Sequence, residues 1–264
     1  MSVRARKTAA WRKFPHPDDM FDYAGPKLKA HWRRLHRGDR EPYPETRELQ
    51  QAWRLFHAGE FERAASMGAE LGGAGDCVAS RATAIYANYL EPDEARKLAL
   101  FDAAAKAAQR AAEALPAHAN AHYLRAYALG RYSQGISVLV ALSRGLGGTV
   151  KACLEQALKL DPAHADAHTA LGTYHAEIID KVGALVGGLT YGANRDEGLA
   201  HYLKALALNP GSAIARIEYA NGLLLLFGKT RGAEAEKLYR EAAAIEPADA
   251  MERLDVELAA SALA

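Results

Sequence analysis

Apolar and small residues recur three and four positions apart along most of this chain, and prolines cut the runs at wide intervals. The stretch 152–177, ACLEQALKLDPAHADAHTALGTYHAE, shows the unit: a helix-periodic run, a stop at Asp161-Pro162, then a second run. Proline ends the first run because it has no N–H to give a helix and crowds the preceding turn. Related stretches stand at 111–130, 202–222 and 238–254, and the marker prolines Pro116, Pro162, Pro210 and Pro247 lie 46, 48 and 37 residues apart. Ahead of each proline come a small residue and then a leucine or isoleucine: Ala111 and Leu115, Ala157 and Leu160, Ala205 and Leu208, Ala242 and Ile245. Six residues past the first three stands His122, His168 or Arg216, and ten past them Ala126, Gly172 or Ala220. Small residues at matched heights let neighbouring helices approach closely. The pattern predicts an all-α chain with helices at 46–57, 61–71, 77–90, 93–115, 119–131, 148–160, 165–178, 195–208, 213–226, 232–245 and 249–262.

The small-residue positions, the aromatic of the second helix (Tyr202, Tyr239) and the closing proline resemble the tetratricopeptide repeat (TPR) family, as does Trp53 followed by the turn-like Gly59-Glu60-Phe61-Glu62-Arg63-Ala64. The resemblance covers most of 45–250. It implies an α-solenoid of antiparallel helix pairs with repeats at about 45–78, 79–116, 117–162, 163–210 and 211–247, capped by 249–262. The family period is about 34 residues, so two repeats are overlong. Their extra residues, 132–147 and 179–193, are apolar and glycine-rich and fall between the two helices of a repeat. Repeats with such inserts are loosely similar to the T-component proteins of bacterial tripartite transporters.

Composition narrows the class further. The chain has 264 residues, 50% of them hydrophobic and 25% charged, enough for a large core. The net charge of +1 is uneven. Residues 1–40 hold eleven lysines and arginines against four aspartates, a surplus of +7, which leaves −6 for the rest. Cys77 and Cys153 with no C-x-x-C exclude a disulfide framework and suit a reducing compartment. The basic N-terminus has no apolar core of a secretory signal, and the longest apolar candidate, 136–142, is far short of the ~18 residues of a membrane span. A cytoplasmic location is the expectation. Residues 1–44 read as a basic, aromatic arm ending in a short helix, PKLKAHWRRLHRG, with Leu28, Trp32 and Leu35 on one face. That stripe is more simply a docked face than a nucleic-acid surface, so nucleic acid is not the expected partner.

Candidate chemistry is sparse. His118/His122 and His164/His168 are i, i+4 pairs, but they recur because the repeat recurs, and His118 and His164 stand where a helix N-cap is expected. No H-E-x-x-H is present, so no metal is expected. Gly222-Leu-Leu-Leu-Leu-Phe-Gly228-Lys229-Thr230 imitates a phosphate loop with one residue too many and on a helix, where its N–H groups are already bonded. There is no nucleophile elbow and no cysteine beside a base. The expectation is a protein that is not an enzyme and takes no cofactor.

In the TPR family the first helix of each pair usually lines a concave groove. Carried over by position, the groove residues are Trp53 and Phe56; Tyr123, Tyr127 and Arg131; Thr169, Thr173 and Glu177; and Ile217, Asn221 and Leu224. Asn221 matches an asparagine of the family's carboxylate clamp, but Tyr123, Thr169 and Ile217 stand where a lysine is wanted, which argues against chaperone-tail binding. An aromatic, apolar groove with a few polar groups suits a peptide or protein partner. The alternative is a carrier of a small apolar ligand, in which Leu139, Leu142, Val186 and Leu189 of the inserts line a cavity. Against both, the inserts could pack as plain core.

Overall fold

A computed structural model describes residues 10–16 and 21–264, so the basic stretch 1–9 and the Pro17–Asp19 punctuation lie outside it. Among the described residues there are fourteen α-helices and no strand. The arm carries α1 (Pro26–Leu35). Five helix pairs follow: α2 (Arg47–His57) with α3 (Phe61–Leu71), α4 (Ala74–Tyr89) with α5 (Glu94–Ala114), α6 (Ala119–Gln134) with α8 (Leu146–Leu160), α9 (Ala165–Val182) with α11 (Arg195–Leu208), and α12 (Ala213–Phe227) with α13 (Gly232–Ala243). The inserts form their own short helices, α7 (Val138–Ser143) and α10 (Ala184–Tyr191), and α14 (Ala250–Ser261) ends the chain.

Local chemistry sets the boundaries. Leu115, Asp161 and Asn209, each preceding a proline, leave the helical region, with φ between −130° and −137°. Thr46, Asp93, Asn194, Ser212 and Asp249 cap the following helices through their side chains. His164 does the same, Nδ1 accepting from the Ala167 N–H at 3.1 Å, whereas His118 caps nothing. The histidines six residues past the marker prolines bond back to them: His122 to the Pro116 carbonyl at 2.9 Å and His168 to that of Pro162 at 3.1 Å. Helix α4 starts at Ala74, three residues earlier than the pattern predicts, because Gly72 and Gly73 take positive φ (61° and 53°) and turn the chain at once. Helices α6 and α9 outrun expectation because the first residues of each insert continue them. Gly228, at φ 57°, terminates α12.

The helices touch through small residues. Ala157, Ala205 and Ala220 are fully buried. The Tyr202 ring lies between α9 and α12, where a Cβ on Gly172 would stand 2.7 Å from it and one on Gly222 2.6 Å. At the N-terminal end the arm is part of the core. Leu28, Trp32 and Leu35 are buried against α2, and Phe14 packs edge-on to Phe61. Trp53 and Phe56, expected on an open groove, are therefore core residues at 0% and 1% exposure, because the arm covers them. Helix α14 packs on α12 and α13 and also reaches back to the first helices. Arg34 and Glu252 form a two-bonded pair at 2.6 and 2.8 Å, and Tyr89 donates to Asp255. Ile217, a third groove candidate, is accordingly buried among Ala213, Ala242 and Ala259.

Enlarging Ala205 to Leu, or Gly172 to Ala, forces the α9–α11–α12 contact apart. Either change should cost about 1–3 kcal/mol, read as a lower urea midpoint at unchanged slope; a midpoint equal to wild type would place these residues off the contact.

Candidate functional site

With the first repeat filled, the open part of the concave surface lies along α6, α9 and α12. Two adjoining recesses occupy it. The inner cleft, about 140 Å³, lies between α6, α7, α8 and α9. Its apolar wall is Val138, Leu142, Val150, Leu154, Ile178 and Val182, and Tyr123, Tyr127, Thr169 and Thr173 line it from the first helices. The outer recess, about 380 Å³, is bounded by Tyr202, Asn221, Leu224 and Leu225. Arg131, Gln134, Thr173, Glu177 and Glu218 border both.

Those shared residues form a polar ridge. Arg131 reaches Glu218 at 2.6 Å and lies over the Tyr127 ring at 5.4 Å, while Thr173 donates to the second Glu218 oxygen at 2.9 Å and receives from Tyr202 at 3.1 Å. Gln134 donates to Glu177, which also pairs with Lys181 at 3.1 Å. Burial opposes the Arg131 charge, but Glu218 holds the guanidinium protonated far above its ordinary range. Burial likewise pushes the Tyr123 and Tyr127 phenols up, so both stay neutral. The ridge is internally satisfied and presents hydroxyls and amides to an occupant, with no activated nucleophile. Among the described residues no group of three or more His, Cys, Asp or Glu is placed to hold a metal ion.

Of the groove candidates, the structure brings Tyr123, Tyr127, Arg131, Thr169, Thr173 and Glu177 to the inner cleft and Asn221 and Leu224 to the outer recess. Trp53, Phe56 and Ile217 are elsewhere, in the core. Of the insert candidates, Leu142 lines the cleft, but Leu139, Val186 and Leu189 are 79%, 50% and 83% exposed and face solvent rather than a cavity. The cause is the shortness of α7 and α10: each lays one side on the array and turns the other outward. Glu218 and Gln134 escaped the sequence reading. Glu218 meets Arg131 from 87 residues away, a distance no local pattern reports.

A second cluster was not foreseen. It lies where the arm, α4, α9 and α14 meet, and it is buried. Residues 38–41 run past the N-terminal ends of α6 and α9. The Gly38 carbonyl accepts from the Asp166 N–H at 3.1 Å, Asn120 Nδ2 donates to the Asp39 carbonyl at 3.0 Å and to the Glu41 carboxylate at 2.6 Å, and Trp32 Nε1 donates to the Glu41 carbonyl at 2.7 Å. A Cβ on Gly38 would overlap the Asp166 carboxylate. Arg81 donates to Asp39 and lies 3.6 Å from Asp166. His36 and His57 each turn Nδ1 to a carboxylate, Asp39 at 3.0 Å and Asp249 at 2.7 Å, and their Nε2 atoms meet at 3.2 Å. A hydrogen bond between the two Nε2 atoms needs one of them to donate and the other to accept. Burial opposes the Asp39 and Asp249 charges, but Arg81 and His36 on the one and His57 on the other hold both carboxyls below their ordinary range.

Comparison with known proteins bears on the fold and the lineage. The profile of the family described as regulator of microtubule dynamics protein 1–3 matches residues 77–262. The chain belongs to that family. No curated protein matches it. Among solved structures it is similar to TTC0263, a thermophilic TPR protein of Thermus thermophilus, at 18% identity and a TM-score of 0.56, over 81% of this chain and 97% of that one. That likeness shows the TPR fold. The family match spans the open groove, both inserts and α14, and leaves out the arm and the first helix pair.

The buried cluster sets a pH dependence. Burial brings His164 down to about 4, so its contribution to stability is complete above its ordinary 6.5 and fades as pH falls from there through 4. Burial raises Asp166 to about 6, which acts in the opposite sense: between 6 and 3.8 the folded state binds the extra proton, and stability rises as pH falls. Asp166→Asn removes the second effect and leaves the first. Its melting temperature should therefore drop more steeply than that of wild type between pH 6 and 4; parallel curves would contradict this assignment.

Proposed function

We propose that this chain is a non-enzymatic TPR-type scaffold that holds a peptide or protein partner along α6, α9 and α12. The observation that carries the reading is the continuous trough made by the two recesses, apolar and aromatic at one end and bordered by the Arg131–Glu218–Thr173 ridge. An extended peptide would lay apolar side chains against Tyr127 and Leu224 while its backbone meets Thr173, Gln134 and Asn221. The family's description, a regulator of microtubule dynamics, is in keeping with an occupant that is itself a protein.

A second reading is supported by the inner cleft alone. Val138 and Leu142 come from an insert that a plain repeat lacks, and they give the cleft an apolar wall of the kind a small apolar ligand needs. The loose likeness of the inserts to T-component proteins is of a piece with this carrier role.

The two readings separate experimentally. Asn221→Arg with Leu224→Asp changes only exposed positions of the outer recess. It should weaken capture of a protein partner by tenfold or more, about 1.4 kcal/mol, with the melting temperature unchanged. A partner held equally well by the variant would move the binding surface elsewhere. For the carrier, uptake of an apolar fluorescent probe should fall roughly fivefold in Leu142→Asn, from the loss of about 1 kcal/mol of burial, and stay at the wild-type level in Leu189→Asn. A wild type that takes up no probe removes the carrier reading.

A further inference from the structure

One carboxylate on the wall of the inner cleft is left short of partners. Asp166, in the first turn of α9, lines the cleft at the end away from the inserts, with its side chain 16% exposed. Its backbone N–H is bonded to the arm, but Arg81 approaches its carboxylate only to 3.6 Å, beyond a hydrogen bond. Arg81 is committed to Asp39, which also takes His36 at 3.0 Å. Two carboxylates therefore share one guanidinium, and Asp166 has the looser hold on it. Burial raises its carboxyl to about 6 against the pull of Arg81 and His36, with the Asp39 charge adding to the rise. Near neutral pH the group is ionised and under-compensated.

The other two cations lining the cleft are taken. Arg131 pairs with Glu218 and Lys181 with Glu177, and Lys181 stands about four turns, or about 22 Å, further along α9. Around Asp166 the cleft combines acceptors with hydrocarbon. Thr169, one turn on along the same face, donates to the Ala165 carbonyl at 3.2 Å and keeps its oxygen open to accept. The Tyr123 phenol of α6 is pushed up by burial and by the Asp166 charge, so it stays neutral beside that carboxylate. Ala126, Leu154 and Ala170 supply apolar wall. An ammonium has three donors and no acceptor, and a methylene stem can lie on apolar surface while its charged head reaches polar groups. A neutral or anionic head would leave the Asp166 charge buried without compensation.

We propose that the Asp166 end of the inner cleft is a pocket for an alkylammonium group, the side chain of a lysine on the protein partner, with Asp166, Thr169 and Tyr123 receiving the ammonium. The lysine rests on the partner reading given above; the preference for an amine does not.

The test titrates the full chain with n-hexylammonium, hexan-1-ol and hexanoate, which share a stem and differ in the head, and reads binding by saturation-transfer nuclear magnetic resonance. The amine should bind at least about tenfold tighter than the alcohol, and hexanoate should bind weakest. In wild type the advantage of the amine should shrink about tenfold as pH falls from about 7.5 to about 5, because Asp166 takes up a proton while the amine keeps its own. Asp166→Asn should bind amine and alcohol alike; if that variant does not fold, the wild-type pH series decides by itself. An amine that binds no better than the alcohol, an advantage indifferent to pH, or one that survives in Asp166→Asn overturns the pocket and leaves the scaffold reading standing. The source of the amine is read by selecting peptides from a random displayed library, which should enrich lysine on wild type and not on Asp166→Asn. Selected peptides without that enrichment overturn the lysine alone. A wild type that prefers the amine but selects no peptide removes the scaffold reading, and the lysine with it.

Discussion

The Arg81 guanidinium is the charge around which the two ends of the chain are arranged. It is 7% exposed and surrounded by Asp39 of the arm and Asp166 of α9, with Asp249 of α14 reached through the His36–His57 contact. A buried cation of this kind is tolerable only with its partners in place; removing one partner of such a pair costs about 3–5 kcal/mol. Its carboxylate partners come from residues 39 and 166, and Met251 of α14 lies beside it with Sδ at 3.8 Å, so satisfying Arg81 brings the arm and the middle of the array to one point next to the last helix.

That requirement decides where binding can occur. The arm must cross α2 and α4 to deliver Asp39, and in crossing it covers Trp53 and Phe56. Helix α14 returns towards α2, where Asp249 at its N-cap pairs with His57, and in returning it buries Ile217. A plain TPR groove is open along its length. Here the first repeat is closed by the chain itself, and the trough over α6, α9 and α12 is what stays accessible. The inserts then act on that remainder: α7 gives it a wall and, with α10, a projecting rim.

The repeat was legible because each of its parts is local. Proline stops, small-residue heights and side-chain caps act within a few residues, and the helices fall close to their expected bounds. The backward bonds of His122 and His168 to their prolines are equally local, which is why the pair recurs. The groove was legible in part, since Tyr127, Arg131, Thr173 and Glu177 keep the family's spacing on uninterrupted helices. What could not be read is what crosses between distant segments. Gly38 is simply the last residue of the short-helix string PKLKAHWRRLHRG in the sequence, yet its lack of a side chain matters because the Asp166 carboxylate lies against it. Glu41 belongs to a stretch that read only as a basic, aromatic arm, but its carboxylate accepts from Asn120 and pairs with His118. The inserts were ambiguous for a different reason: an apolar, glycine-rich run looks the same whether its leucines face a cleft, as Leu142 does, or water, as Leu189 does.

The central claim is that the arm is an integral part of the array rather than a tail lying on it. Hydrogen exchange of the native chain, followed by mass spectrometry, tests it most directly on the peptide spanning residues 36–41. If the arm is locked through Arg81, Asn120 and Asp166, the amides of that peptide should exchange as slowly as those of α4 and α9, and Arg81→Met should speed the arm and the start of α14 together. Exchange of 36–41 at the rate of an unstructured chain, with α4 still protected, would contradict the account.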